Sequence, residues 1–137
     1  MTFKYLTILL FALCLGGCSS SDDSSSDIDS MELEEVDASP FLGTFVDAAH
    51  PTSGMATVNT DRTELQLTNF KSDSGPLLEL YLTNSLEVKE YISLGVLQGL
   101  KGDYTYTLPD NVDIEKYKYV VVWCVDFSVN FGYALLE

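Results

Sequence analysis

Tyr119-Val120-Val121-Val122-Trp123-Cys124-Val125-Asp126-Phe127 is the stretch on which the fold turns. It is β-branched and aromatic and contains neither glycine nor proline. A run of that length and composition reads as a strand buried on both faces. Lys116 to Lys118 supply polar residues before it, and Ser128 with Asn130 supplies turn residues after it, which argues against a buried helix. Side chains alternate along a strand, so Val120, Val122, Cys124 and Asp126 share one face, and Tyr119, Val121, Trp123, Val125 and Phe127 share the other. A thiol therefore sits in the middle of the strand that any core must use. Its purpose is the main functional question.

The chain around this strand is a series of short alternating runs. Phe41 to Asp47 reads as a strand, and His50-Pro51-Thr52-Ser53-Gly54 has turn chemistry. Met55 to Asn59 follows, and Asp61-Arg62 makes a hairpin into Glu64 to Phe70. Gly75-Pro76 opens Leu77 to Thr83, with Leu78, Leu80 and Leu82 on one face. Tyr91 to Leu97 is ended by Gly99 and Gly102. Tyr104, Tyr106 and Leu108 alternate with threonines up to Pro109. Val112 to Lys116 reads as a short turn of helix, and Phe131 to Leu136 is the last strand. About eight short antiparallel strands with regular turn signals predict an all-β domain, a β-sandwich or jelly roll, over residues 38–137.

The N-terminal part has a different character. Lys4 precedes an apolar run, Leu6 to Leu15, that is too short to span a bilayer comfortably and has signal-peptide length. It ends in Leu15-Gly16-Gly17-Cys18, a bacterial lipobox, in which cleavage falls between Gly17 and Cys18 and the sulfur of Cys18 takes the lipid. Residues 1–17 are thus read as a lipoprotein signal peptide. Residues 18–37 are read as the lipidated cysteine and a disordered tether, serine-rich, with eight carboxylates and no cation. Acyl chains together make a stable membrane anchor where one alone would be marginal. Ser19 after the lipidated cysteine resembles the pattern that sorts bacterial lipoproteins to the outer membrane. Ser21-Asp22-Asp23 resembles an acidic signal for export to the cell surface, though a spacer with no address reads equally well.

Charge and cysteine count exclude several classes. The full chain has a net charge of −14, and residues 38–137 carry 6 basic against 13 acidic side chains. So acidic a surface argues against nucleic acid and against electrostatic docking on anionic lipid. No P-loop, Rossmann glycine pattern or calcium-loop spacing is present. Of three cysteines, Cys14 leaves with the signal peptide and Cys18 is lipidated. Cys124 then has no internal disulfide partner, which removes a disulfide scaffold and a two-cysteine redox motif.

Several groups of residues together resemble the DM-thirteen domain, a small extracytoplasmic domain that also accompanies DOMON domains in animals. They are His50 with Thr52-Ser53-Gly54; Leu67 to Phe70; Gly75-Pro76 with Leu80-Tyr81-Leu82; and Leu94-Gly95 with Leu97 and Gly99. Tyr106 with Leu108-Pro109, Tyr117 to Cys124, and Phe127 with Phe131-Gly132 and Ala134-Leu135 complete the pattern. The tryptophan–cysteine pair followed by phenylalanine and phenylalanine–glycine is the most specific part. One position departs: Leu77 stands after glycine–proline, where the family usually has aspartate. The resemblance implies a role in electron transfer with Cys124 as the redox residue and a redox protein as partner.

A lone thiol cannot cycle as an intramolecular disulfide. It could bind a metal or haem iron, oxidise to sulfenic acid, or exchange with a partner's thiol. Equally, free cysteine packs as a small hydrophobe. His50, the only histidine, and Met55 are the remaining candidate ligands for a metal or haem, and each has a plainer reading, as a turn residue and as core filler. A single histidine excludes a multi-histidine zinc site. Trp123, Tyr104 and Tyr106 could stack on a sugar, although such alternation more often means core packing. No serine, histidine and carboxylate constellation points to hydrolysis, and the chain does not read as an independent enzyme. Two readings stand: a lipid-anchored redox domain of the envelope using Cys124, or a non-catalytic ligand-binding or adhesion module at the cell surface with Cys124 in its core.

Overall fold

The computed structural model of the protein describes residues 39–137. The expected signal peptide and tether, with Gly17 and Cys18, lie outside the described residues. Eight strands follow one another: β1 (Phe41–Asp47), β2 (Thr52–Val58), β3 (Glu64–Ser72), β4 (Leu78–Thr83), β5 (Tyr91–Val96), β6 (Lys101–Thr107), β7 (Tyr119–Cys124) and β8 (Val129–Leu135). The fold is all-β, as the alternation predicts. Every pairing is antiparallel, and the spatial order is β5-β4-β7-β8-β1-β2-β3-β6.

One strand turns this row into a container. Phe41 to Thr44 of β1 pair with β2, whereas Phe45 to Asp47 pair with β8. The sheet therefore folds over at β1, and its two halves face each other across a core. Into that core point Phe45 from β1, Ala56 and Val58 from β2, Leu65, Leu67 and Phe70 from β3, and Leu78, Leu80 and Leu82 from β4. Val120, Val122 and Cys124 enter from β7. β5 and β6 end the row without pairing to each other, so the barrel is nearly closed rather than closed.

Local chemistry sets the turns and the close approaches. The Asn59 carboxamide oxygen accepts from the N–H groups of Thr63 and Glu64, and its amide donates to the Thr63 hydroxyl, which pins the β2–β3 hairpin. Arg62 takes the left-handed backbone that the turn requires (φ 57°). Where the sheet folds over, side chains must be absent. A Cβ on Gly132 would lie 2.2 Å from Thr52 Oγ1 and 2.3 Å from its Cβ.

Three sequence expectations shift. Thr52-Ser53-Gly54 belongs to β2 rather than to a turn: Thr52 pairs with Ser72, its N–H donates to Asp47 Oδ1, and Gly54 (φ 115°) sits at an irregularity in the β2–β3 pairing. β7 stops at Cys124. Val125 to Ser128 turn over, with Ser128 left-handed, so Asp126 and Phe127 are exposed instead of continuing the two faces. Residues 112–116 form no helix; a single turn closes where the Tyr117 N–H donates to the Asp113 carbonyl.

Because Thr52 sits so close over Gly132, Gly132→Ala is expected to cost about 1–3 kcal/mol through a forced shift of β2 against β8. The midpoint of thermal unfolding should fall by roughly 4–8 °C per kcal/mol for a domain of this size. An unchanged midpoint would show that the two strands separate freely at this point.

Candidate functional site

Cys124 ends β7, between Leu78 of β4 and Val129 of β8. Its residue is 0% exposed, and it is the free cysteine of the described residues. Alternation along β7 aims it into the shared core with Leu78, Leu80, Val122 and Phe131, as the strand reading requires. Leu78, its cross-strand partner, also lines a cleft of about 230 Å³ between the chain entering β4 and the connection from β5 to β6. Gly75, Pro76 and Leu77 form one wall of that cleft, and Val96, Leu97, Gly99 and Leu100 the other. Backbone bonds tie its walls to β4: the Leu97 N–H donates to the Leu78 carbonyl at 2.8 Å, in register with the β4–β5 pairing, and the Val125 N–H to the Leu77 carbonyl at 2.9 Å, in register with the β4–β7 pairing. Gly75 is needed there, since a Cβ would lie 2.9 Å from Leu78 Cδ2 and from Phe131 Cζ. The side chains that line it are all apolar. Leu77, standing where the family pattern has aspartate, keeps a carboxylate out of it.

The other candidate ligands do not join Cys124. His50 is a surface residue whose ring stacks on Phe131 with centroids 3.9 Å apart, and its Nδ1 lies 3.2 Å from Asp73 Oδ2. Met55 lies across from Thr44 of β1 and Thr68 of β3 and is 43% exposed, so it is neither core filler nor a neighbour of the sulfur. A soft-metal centre needs several such donors on one cavity, and a haem needs at least one that faces a cavity wide enough for the macrocycle. Here one is sealed, one is stacked and held by a carboxylate, and one faces solvent. Among the described residues no three histidine, cysteine or acidic side chains are grouped to hold a metal ion. The donors present do not fit a haem or metal centre. The sugar platform also dissolves: Tyr106 is in the core and accepts from the Gln98 N–H, Tyr104 packs edge-on to Phe70, and Trp123 lies on the outer face of β7.

What the sequence does not bring together is that outer face. Val121 is buried there although no second layer covers it, because Tyr81 and Val88 pack over it with Tyr119, Trp123 and Tyr133 around them. Register makes the cluster. Tyr81 is paired with Val121 and Ser93, Glu79 with Trp123, and Thr83 with Tyr91. The rings of Tyr91 and Tyr81 stack at 4.2 Å, and those of Tyr81 and Trp123 lie 6.3 Å apart. Burial pushes the Tyr81 phenol far above its usual range. The neighbouring Glu79 carboxylate adds to the shift, and Tyr91 contributes.

An all-β domain with one sealed thiol, an aromatic outer face and no metal cage is thus defined. A family model described as electron transfer DM13 matches residues 44–136. The chain belongs to that family, the DM-thirteen family of the sequence resemblance. No curated protein and no solved structure is significantly similar to the chain.

The Tyr81 shift sets an alkaline limit on stability. A phenol whose folded pKa is raised stabilises the fold fully below the unfolded value and loses that contribution as pH rises through the folded one. Stability should therefore decline above about pH 10. Burial also lifts Tyr106, despite the Gln98 N–H donated to it. In a spectrophotometric titration these two phenols should ionise after the exposed tyrosines, together with unfolding. Tyr81→Phe should remove one late phenol and soften the alkaline loss. A single ionisation of all tyrosines near pH 10 in the folded protein would contradict the burial and the Glu79 contact.

Proposed function

We propose that this protein is a bacterial envelope lipoprotein, held by acyl chains on Cys18, whose DM13 domain passes electrons to a protein partner through Cys124. Family membership across residues 44–136 is the observation that carries the reading. Cys18 follows an apolar run and small residues in lipobox order, which supports an anchor, with the outer membrane and then the cell surface as destinations.

Burial constrains how Cys124 can act. Its thiolate would attack a partner's disulfide, forming a mixed disulfide and releasing one partner thiol. A donor dithiol would then attack the partner's sulfur in the mixed disulfide, releasing Cys124, and its second thiol would displace the partner's remaining thiol, so that the donor ends as a disulfide and the partner has gained two electrons. Each step requires sulfur-to-sulfur contact. The route that supports such contact is the cleft beside the β5–β6 connection, because Leu78 both lines it and pairs with Cys124. Opening it breaks the bond from Leu97 to Leu78, which lies at the end of the β4–β5 ladder, where strands fray most readily. The second reading, a ligand-binding or adhesion module with Cys124 as core, is favoured by the complete burial of the sulfur.

Native-state alkylation separates the two. The redox reading expects Cys124 to react at a rate that rises when Leu78 is cut to alanine, without global unfolding. A thiol that reacts only on global unfolding sinks exchange and leaves the core reading. In that case Cys124→Ala should cost about 1 kcal/mol or slightly more through a small cavity, and Cys124→Ser more than that through an unpaired hydroxyl.

The anchor is tested by fractionation. Cys18→Ser should move the protein out of the membrane fraction and block metabolic labelling with a fatty acid. A variant that stays with the membranes as the wild type does removes the lipid from the proposal.

A further inference from the structure

β5 ends the row of strands on one side, and only β4 pairs with it. The Asn84 N–H donates to the Glu90 carbonyl, so Glu90 and, two residues on, Ile92 are the positions that bond to β4. Tyr91 and Ser93 alternate with them and turn both N–H and C=O the other way, where no strand stands. Nothing blunts these groups. β5 holds no lysine and no proline, and the irregularity in its pairing comes only after Ser93. The edge at the other end of the row is treated differently: Lys101 opens β6, and the Gln98 side-chain amide donates to the Thr105 carbonyl at 2.6 Å.

The two sides of the β5 edge ask for different side chains. On the outer side, Tyr91 is 49% exposed. Tyr81 backs its ring from β4, at 4.2 Å and 12° from parallel, which leaves the other ring face to the open edge. The Ser93 hydroxyl donates to Glu79 Oε2 at 2.9 Å, so a carboxylate also lies beside the edge, and among the described residues no ion pair uses it. An open ring face and an uncompensated carboxylate both take a cation. On the inner side, Ile92 and Leu94 are only partly buried against the core. The strand then runs to Val96, which is 61% exposed and lines the apolar cleft with Pro76, Leu77, Leu97 and Leu100.

We infer that the β5 edge takes up an extended segment of a partner protein as an added antiparallel strand, one whose residues alternate between basic and apolar. The segment's main chain exchanges hydrogen bonds with Tyr91 and Ser93. Its residues opposite those two point outward, and their basic side chains lie over the Tyr91 ring and against Glu79. The residues between them point inward and cover Ile92 and Leu94. An apolar residue three positions before the one opposite Ser93 lies roughly 10 Å further along, at about 3.3 Å per residue, and enters the cleft past Val96. The acidity of the chain favours this partner over a second copy: two copies bring net charges of −14 together, and a second β5 supplies no cation for Glu79. The inference goes beyond thiol exchange and holds whether or not Cys124 reacts.

The test is fluorescence anisotropy of a labelled peptide, Leu-Thr-Val-Arg-Val-Arg-Thr, titrated with the detergent-solubilised full chain. Binding should saturate, and should weaken as salt is added. Glutamate in place of both arginines should weaken it by roughly tenfold or more. N-methylation of the two arginine amides, which face β5, should abolish binding, whereas N-methylation of the two valine amides, which face away, should leave it. Ser93→Pro removes an edge N–H without removing a bond to β4 and should lower affinity by roughly tenfold or more. Glu79→Gln should lower it by roughly threefold. A thermal melt checks that each variant is folded, and the pair of N-methylated peptides decides the matter on the wild type alone. Equal binding of those two peptides, wild-type affinity in folded Ser93→Pro, or no binding at millimolar concentration overturns the inference. So does a dimer, seen by sedimentation, that Ser93→Pro dissociates and the peptide does not displace, since the edge then belongs to a second copy. Anisotropy reads docking alone, so an inert Cys124 removes the exchange route and leaves docking standing, and a reactive Cys124 does not rescue a peptide that fails to bind.

Discussion

β7 cannot put its sulfur and its indole on the same side. It lies between β4 and β8, so both of its backbone edges are consumed by ladders and only its two faces remain to carry anything. Successive residues of a strand point to opposite faces. Cys124 therefore goes into the core and Trp123 out of it, and their separation is the thickness of one sheet. How deep the sulfur lies is decided elsewhere, where β1 leaves β2 for β8 and folds the sheet over. That fold tolerates no side chain at Gly132 beneath Thr52. It tolerates none at Gly43 either, where a Cβ would lie 2.5 Å from the Leu135 carbonyl oxygen. Two missing side chains thus help to seal a thiol that neither of them needs to touch.

The strands were legible because their composition alternates and turn residues separate them. Their ends were less so. His50-Pro51-Thr52-Ser53-Gly54 has the chemistry of a turn, yet Asp47 reaches across to hold the Thr52 N–H, and the pairing with Ser72 draws the segment into β2. Val125-Asp126-Phe127 continues the pattern of a strand, and nothing in those three residues announces the turn that Ser128 completes in the left-handed region. For the candidate site, the interior position of Cys124 followed from parity along one strand. The ring row did not, because Tyr81, Tyr91 and Trp123 meet only when three strands adopt particular registers. Glu79 and Tyr81 alternating with three leucines was the available sign of an outward face, and it named no neighbours.

The acidic balance shapes what can approach either face. With a net charge of −14, the chain repels anionic membranes and polyanions and attracts a basic patch on a protein. Complementary charge of this kind accelerates encounter more than it tightens binding, and its effect falls with salt. That suits brief contacts between electron carriers. On the proposed reading, attachment to a membrane would come from the lipid on Cys18 rather than from the surface of the domain.

On the proposed reading, exchange at Cys124 would wait for the cleft beside Leu78 to open, and its rate would be the intrinsic thiol rate multiplied by the fraction of molecules open. Each 1.4 kcal/mol of local opening free energy removes about a factor of ten. Packing that stabilises Leu78 against the core therefore slows exchange in direct proportion to the stability it adds. The outer face of the same strand is not gated in this way, since Tyr91 beside it is already half exposed. A domain that protects its thiol by tight packing can still present an aromatic surface, because the strand that hides the one displays the other.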